Sequence, residues 1–223
     1  MKKGKYAKRT PFVKTLAVAM VLVTLIGCAI GGTLAWLTDE TQEVVNTFTV
    51  GNIKIKLDET NVDDKVTGVI RDTENSYKMI PGWTITKDPV ATVLAGSEDC
   101  YLFVKVTEST NAKFSDYMTY EIAKGWKKVP KVDADGNEVM ADDKTVYEDG
   151  VYYREVTTST KNQPFDVIEG NTVNVLSTVT EEMMEALTEA TYPTLTFQAY
   201  AVQLYKNNTE KFGAAAAWAE VKD

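Results

Sequence analysis

An apolar run from Leu16 to Gly32 is followed, from Asn46, by strict alternation of apolar and polar side chains. That order confines the chain to few designs. A basic stretch (Lys2, Lys3, Lys5, Lys8, Arg9 and Lys14) precedes the run, and Thr33-Leu-Ala35 closes it with small residues one apart. This is the pattern of an export signal cut after Ala35, with Trp36 as the new first residue. The run approaches the roughly 20 residues that span a bilayer, so an uncleaved anchor is the competing reading. Gly27, Gly31 and Gly32 weaken its second half as a helix. Leu25-Ile-Gly-Cys28 also fits a lipobox, in which Cys28 carries lipid, although the residues after it stay apolar as far as Leu37.

Beyond the signal the pattern is that of strands. From Asn46 to Asp58 the alternation has two phases. Phe48 and Val50 share one parity, and Ile53, Ile55 and Leu57 share the other. Side chains alternate faces with period 2, so the switch requires one extra residue, and Gly51-Asn52 is the natural bulge. Lys54 and Lys56 then face solvent. Residues 58–79 carry many charges and read as an exposed loop or weak edge hairpin. Ile80-Pro-Gly is a turn, Trp83 to Lys87 alternates, and Val90 to Ala95 is a further strand. Cys100 to Val106 is apolar on both parities apart from Lys105, as expected in the middle of a sheet. Asp133-Ala-Asp-Gly-Asn137 is a hairpin turn that lacks the residue order of an EF-hand calcium loop. Glu148-Asp-Gly150 predicts another hairpin. Thr178 and Glu181 predict a capping box opening the one helix expected late in the chain, with Met183, Met184, Leu187 and Ala190 on one face and Pro193 as its stop. Leu195 to Tyr205 is apolar on both parities and predicts a central strand. The tail around Trp218 predicts a short helix or an anchor. The fold class is therefore all-β, an antiparallel sandwich.

Composition excludes several functions. There is no histidine, so a Cys-His nucleophile or a His-Glu-x-x-His zinc site is not available. Cleavage after Ala35 would leave Cys100 alone, without a disulfide partner. The net charge is -8; residues 1–35 hold six bases and no acid, so residues 36–223 carry -14. A body that acidic repels nucleic acid and anionic lipid. No catalytic, cofactor-binding or metal residues are assigned.

Gly31-Gly-Thr-Leu-Ala-Trp-Leu-Thr-Asp39 followed by Asn46-Thr-Phe-Thr-Val-Gly-Asn-Ile-Lys-Ile55 resembles the signal and first strand of the TasA/camelysin family, exported proteins of Gram-positive bacteria processed by the signal peptidase SipW. Ile80-Pro-Gly with Lys87-Asp-Pro, Gly96-Ser-Glu-Asp-Cys-Tyr-Leu-Phe-Val-Lys-Val106 and Phe197-Gln-Ala-Tyr-Ala-Val-Gln203 are similar to the clostridial-type members. The resemblance implies a jelly roll, secretion to the cell surface or biofilm matrix, and in some members polymerisation into fibres. It also implies a metallo-endopeptidase label, which the missing histidines argue against.

The resulting expectation has three parts: a cleaved signal over 1–35, a free segment over 36–45, and a single sandwich over 46–223. The free segment is a candidate donor strand that pairs with the next copy and places Trp36, Leu37, Val44 and Val45 in its pockets. Such a head-to-tail contact need not close and runs on as a filament. The partners are then further copies or related matrix subunits, and SipW during export. Membrane contact is confined to the uncleaved signal. The alternatives are a monomeric adhesin or a lipoprotein anchored through Cys28. Mass spectrometry of the first residue separates the lipoprotein from the rest.

Overall fold

A computed structural model describes residues 52–63 and 68–222. The export run, Cys28, Thr33, Ala35, the segment 36–45, and Phe48, Val50 and Gly51 lie outside the described residues.

Thirteen strands, three short α-helices and two 3-10 turns (Glu169–Asn171 and Glu189–Thr191) occur among the described residues. The first group is β1 (Ile55–Thr60), β2 (Arg71–Asp72), β3 (Thr84–Thr86), β4 (Val90–Val93), β5 (Cys100–Glu108), α1 (Phe114–Tyr117) and β6 (Met118–Thr119). The second is β7 (Lys127–Pro130), β8 (Met140–Ala141), β9 (Lys144–Thr145), β10 (Tyr147–Val156), β11 (Gln163–Asp166) and β12 (Thr172–Val175). The chain ends with α2 (Glu181–Glu185), β13 (Leu195–Gln203) and α3 (Ala214–Ala219). Every pairing is antiparallel, so the fold is all-β. One four-stranded sheet has the order β11-β4-β1-β2 and a second has β13-β5-β10-β7. A smaller sheet runs β3-β12-β6, and β8-β9 is a ribbon.

β5 explains the layering. Its even residues Cys100, Leu102, Val104 and Val106 pack with Ala91, Val93, Val156 and Val167, so the two four-stranded sheets share one core. Ile53, Ile55 and Leu57 pack on the same cluster while Lys54 and Lys56 are exposed, as the alternation predicts. The odd residues Tyr101 and Phe103 face the other way, where α3 covers them. The Trp218 ring lies 5.4 Å from Phe103 and 5.3 Å from Tyr200. Both parities of β5 are thus withdrawn from water, and each fully buried large side chain contributes about 1.5–3 kcal/mol. A third cluster under the small sheet joins Phe114, Ile168, Val173 and Val175 to Met183 and Met184 of α2.

Four expectations are corrected. The late helix is one of three α-helices among the described residues, and its cap, Thr180, lies two residues beyond the predicted one. Val179 is buried, which holds Thr178 short of the helix, and the Thr180 hydroxyl accepts the Met183 N–H instead. α2 ends well before Pro193, at Glu185, and Ala190 is exposed beyond it. Asp149-Gly150 makes no hairpin: it lies inside β10, where the register against β7 shifts between Tyr147 and Tyr152. The tight turn falls earlier, at Asp142-Asp143, two residues with φ of 48° and 59° between the paired Ala141 and Lys144. Finally, among the described residues β13 lies at the edge of its sheet, with β5 in the central place.

Left-handed backbone at two aspartates costs about 1–2 kcal/mol per residue. The double substitution Asp142→Asn/Asp143→Gly, the residue pair such a turn favours, is therefore expected to raise stability by about 0.5–1 kcal/mol. Urea denaturation with an unchanged slope measures it.

Candidate functional site: an open sheet edge and its groove

An unpaired strand edge offers a row of backbone donors and acceptors to another chain, and proteins blunt such edges with prolines, lysines or shortness. Three of the four edges of the two larger sheets are blunted in this way. β7 reads Lys-Lys-Val-Pro, β11 contains Pro164, and β2 is two residues long. The fourth, β13, reads Leu-Thr-Phe-Gln-Ala-Tyr-Ala-Val-Gln over nine residues, with no charge, proline or glycine. Its register against β5 is unbroken from Leu195–Glu108 to Gln203–Cys100. At its two ends Leu204 N–H donates to the Asp99 carbonyl and Ser109 N–H donates to the Thr194 carbonyl. Even-numbered backbone groups therefore turn toward β5. Those of Leu195, Phe197, Ala199, Ala201 and Gln203 turn outward, where no strand pairs with them among the described residues.

The start of this edge borders a groove of about 1200 Å³. Its apolar lining includes Leu57, Leu195 and Phe197 from the two sheets, Met184 of α2 and Leu187 just beyond it. Met184 thus both covers the core and faces the groove. Residues 72–80 line another part of it.

A polar network underlies that part. Lys87 Nζ donates to Glu59 Oε2 at 2.7 Å, with the two side chains only 11% and 9% exposed. The ammonium also stands 4.9 Å from the Tyr77 ring centre and 5.5 Å from that of Phe197. Burial, and then the nearby Glu59, push the Tyr77 phenol well above its ordinary range. Tyr77 Oη approaches Glu59 without hydrogen-bond geometry, and it and Asp72 Oδ2 are buried atoms with no hydrogen-bond partner among the described residues. Arg71 makes five bonds: to Asp58 Oδ1 (2.7 Å), Asp88 Oδ2 (2.8 Å), Thr60 Oγ1 (3.2 Å) and the Asp58 and Asp88 carbonyls (3.0 Å each).

Burial alone would raise both carboxyls, but bonds to Asp58 from Lys56 and Arg71 outweigh it. At Asp88 the Thr60 N–H and hydroxyl and then Arg71 do the same. Both acids are held below the ordinary value of 3.8. The unfolded chain then binds more protons in acid, so stability rises with pH across this window. The network's contribution is complete above about pH 5 and is lost as the pH falls below about 4. Urea midpoints measured from pH 6 down to 2.5 are expected to fall along that limb, less steeply in Asp88→Asn, which removes one of the two titrating groups.

Of the residues singled out from sequence, Thr33, Ala35, Trp36, Leu37, Val44, Val45 and Cys28 lie outside the described residues. Cys100 is free and buried, its thiol pushed up to about 11, chiefly by burial and then by Asp99; it packs in the core. Asp133 accepts the Asp135 and Asn137 N–H groups at 2.9 Å and closes the expected hairpin. Among the described residues no three His, Cys, Asp or Glu side chains are grouped to hold a metal ion, and no helix is long and apolar enough to cross a membrane. Arg71, Asp58, Asp88, Lys87, Glu59 and Tyr77 were invisible as a set in sequence. Their one local sign was the acid pair Asp58-Glu59 ending an alternating strand. The chain matches no family model, no curated protein and no solved structure.

Proposed function

We propose that this chain is an exported structural subunit of a cell-surface or biofilm-matrix fibre of a Gram-positive bacterium, assembled head to tail by donor-strand exchange. In this reading the two four-stranded sheets are the halves of a jelly roll. Trp36 to Val45 of one copy, freed by signal cleavage after Ala35, adds to the outer edge of β13 in the next. The observation that carries the reading is the contrast among edges: β7, β11 and β2 are blunted, while the outer edge of nine uncharged residues of β13 is paired with no strand among the described residues. Backbone bonds along the edge supply affinity, and the groove beside Leu195 and Phe197 receives alternate apolar side chains of the incoming strand. The partners are other copies or related matrix subunits, and the signal peptidase acts on the chain only during export. The role is structural rather than enzymatic.

Deleting residues 36–45 tests this. The expected product is a folded monomer, by circular dichroism and light scattering, that forms no fibres under the electron microscope. Fibres from the deleted protein would end the reading.

A further inference from the structure

Residues 71–80 are fastened in an unusual way. Only the first two belong to a strand, and that strand pairs with β1 at Glu59–Asp72 and Thr60–Arg71 alone. The next eight contain no helix or strand. Burial nevertheless alternates through them: Asn75, Tyr77 and Met79 are half-buried, while Ser76, Lys78 and Ile80 are exposed. The segment therefore lies extended along the groove with every second side chain turned in. Side chains hold it at its first half. Arg71 makes the five bonds described above. Asn75 Nδ2 donates to Glu59 Oε1 (3.0 Å), the Thr60 carbonyl (3.1 Å) and Asp72 Oδ1 (3.0 Å). At the far end Trp83 N–H donates to the Ile80 carbonyl across the Pro81-Gly82 turn, with Gly82 at φ 76°. Asn75 Oδ1 also accepts the Val62 N–H (2.8 Å), and Ser76 N–H donates to Asp63 Oδ2 (2.7 Å). A segment with two ladder pairs, fastened otherwise mainly through side chains, opens more readily than the sheets it lies on. Nine consecutive residues of it, Asp72 to Ile80, line the same groove as Leu195 and Phe197.

We propose that residues 71–80 are a strap across the groove, that Arg71 is its latch, and that release of the latch admits an incoming strand to the start of β13. This rests on the strand-acceptor reading above. The strap turns about the Pro81-Gly82 end when Arg71 leaves Asp58 and Asp88. Opening removes one side of the groove and leaves the β5–β13 ladder untouched, because no residue of the strap takes part in that ladder. Arg71 is a positioning residue: it holds the strap and touches no incoming chain.

The test is hydrogen exchange by mass spectrometry on residues 36–223, with a synthetic Trp36–Val45 peptide as the probe for binding. In Arg71→Met, amides of 71–80 are expected to exchange at least tenfold faster while those of β5 and β10 keep their rates, and the peptide is expected to associate at least tenfold faster. Arg71→Lys keeps the charge but loses the fork, and is expected to fall between. Asn75→Ala loosens the strap without unpairing Asp58 or Asp88, and so serves if Arg71→Met does not fold. Unchanged exchange in 71–80 in these variants, or an equal rise across β5 and β10, overturns the latch. Faster exchange with an unchanged peptide association rate overturns the gate while leaving the acceptor intact. Failure of the peptide to bind wild type and variants alike overturns the acceptor reading, and the gate with it.

Discussion

On the donor-strand reading proposed above, Ala201→Pro is expected to yield a folded monomer that builds no fibres. Ala201 lies on the open edge of β13, and the register turns its N–H outward, away from β5. Proline there removes a donor that the domain's own ladder does not use, so the fold keeps its β5–β13 pairing. An arriving strand loses that donor and meets the pyrrolidine ring in its place. Its own carbonyl is left unpaired at a site being withdrawn from water, at a cost of about 1–3 kcal/mol. Each 1.4 kcal/mol is about a tenfold loss of affinity, so the contact between copies weakens by roughly ten- to a hundredfold before the steric clash is counted. In a filament every copy carries the change, and growth stops. The neighbouring substitution has the opposite signature. Tyr200 turns its N–H toward β5, opposite Phe103, so Tyr200→Pro breaks the internal ladder and is expected to destabilise the domain itself. Electron microscopy for fibres and thermal melts for folding separate the two. Fibres from Ala201→Pro of ordinary length and number would place the contact elsewhere than on β13.

The second large effect is expected at Gly150. Residues 148–150 read as the Asp-Gly turn of a hairpin, and an alanine at such a turn costs on the order of 1 kcal/mol. In the structure Gly150 lies within β10, at φ 64°, and an added Cβ would overlap the carbonyl oxygen of Val106. That oxygen belongs to the backbone of β5 and cannot move without disturbing the central ladder. The left-handed conformation costs about 1–2 kcal/mol with a side chain present, and forced overpacking against backbone typically a further 1–3 kcal/mol. Gly150→Ala is therefore expected to lower the melting temperature by roughly 10 °C for a chain of this size. Gly136, which sits in the Asp133–Asn137 turn at φ 84° with nothing near an added Cβ, provides the comparison. Gly136→Ala is expected to show the turn cost alone. Equal losses at the two positions would mean that β10 bends at Gly150 as a surface turn.

Much of the fold was legible in the chain because period-2 alternation is a local property. Ile53, Ile55 and Leu57 mark the buried face of β1 without reference to any other strand, and the uniform apolarity of Cys100 to Val106 marks a strand covered on both sides. The tail around Trp218 reads as a short helix or an anchor, and in the structure α3 forms and lays Trp218 on the outer face of β5. The candidate site was less legible. Hydropathy reports whether the faces of a strand are covered, and it is silent about its edges. β13 has the core on one face and α3 against Tyr200 and Val202 on the other, so its sequence looks like that of a central strand although one edge is unpaired among the described residues.

By itself the sequence determined the all-β class, the central strand, the alternating face of β1 and the Asp133–Asn137 hairpin, because each depends on side chains a few residues apart. It also set the acidity of the body and the absence of histidine, which depend on no structure. Only the tertiary structure decided which strand edge is unpaired among the described residues, where Gly150 sits, and that Arg71 gathers Asp58, Thr60 and Asp88 from separate parts of the chain. The physical reason is the same in each case. Pairing partners, edges and ion networks are set by contacts between residues far apart in sequence, and no local period encodes them.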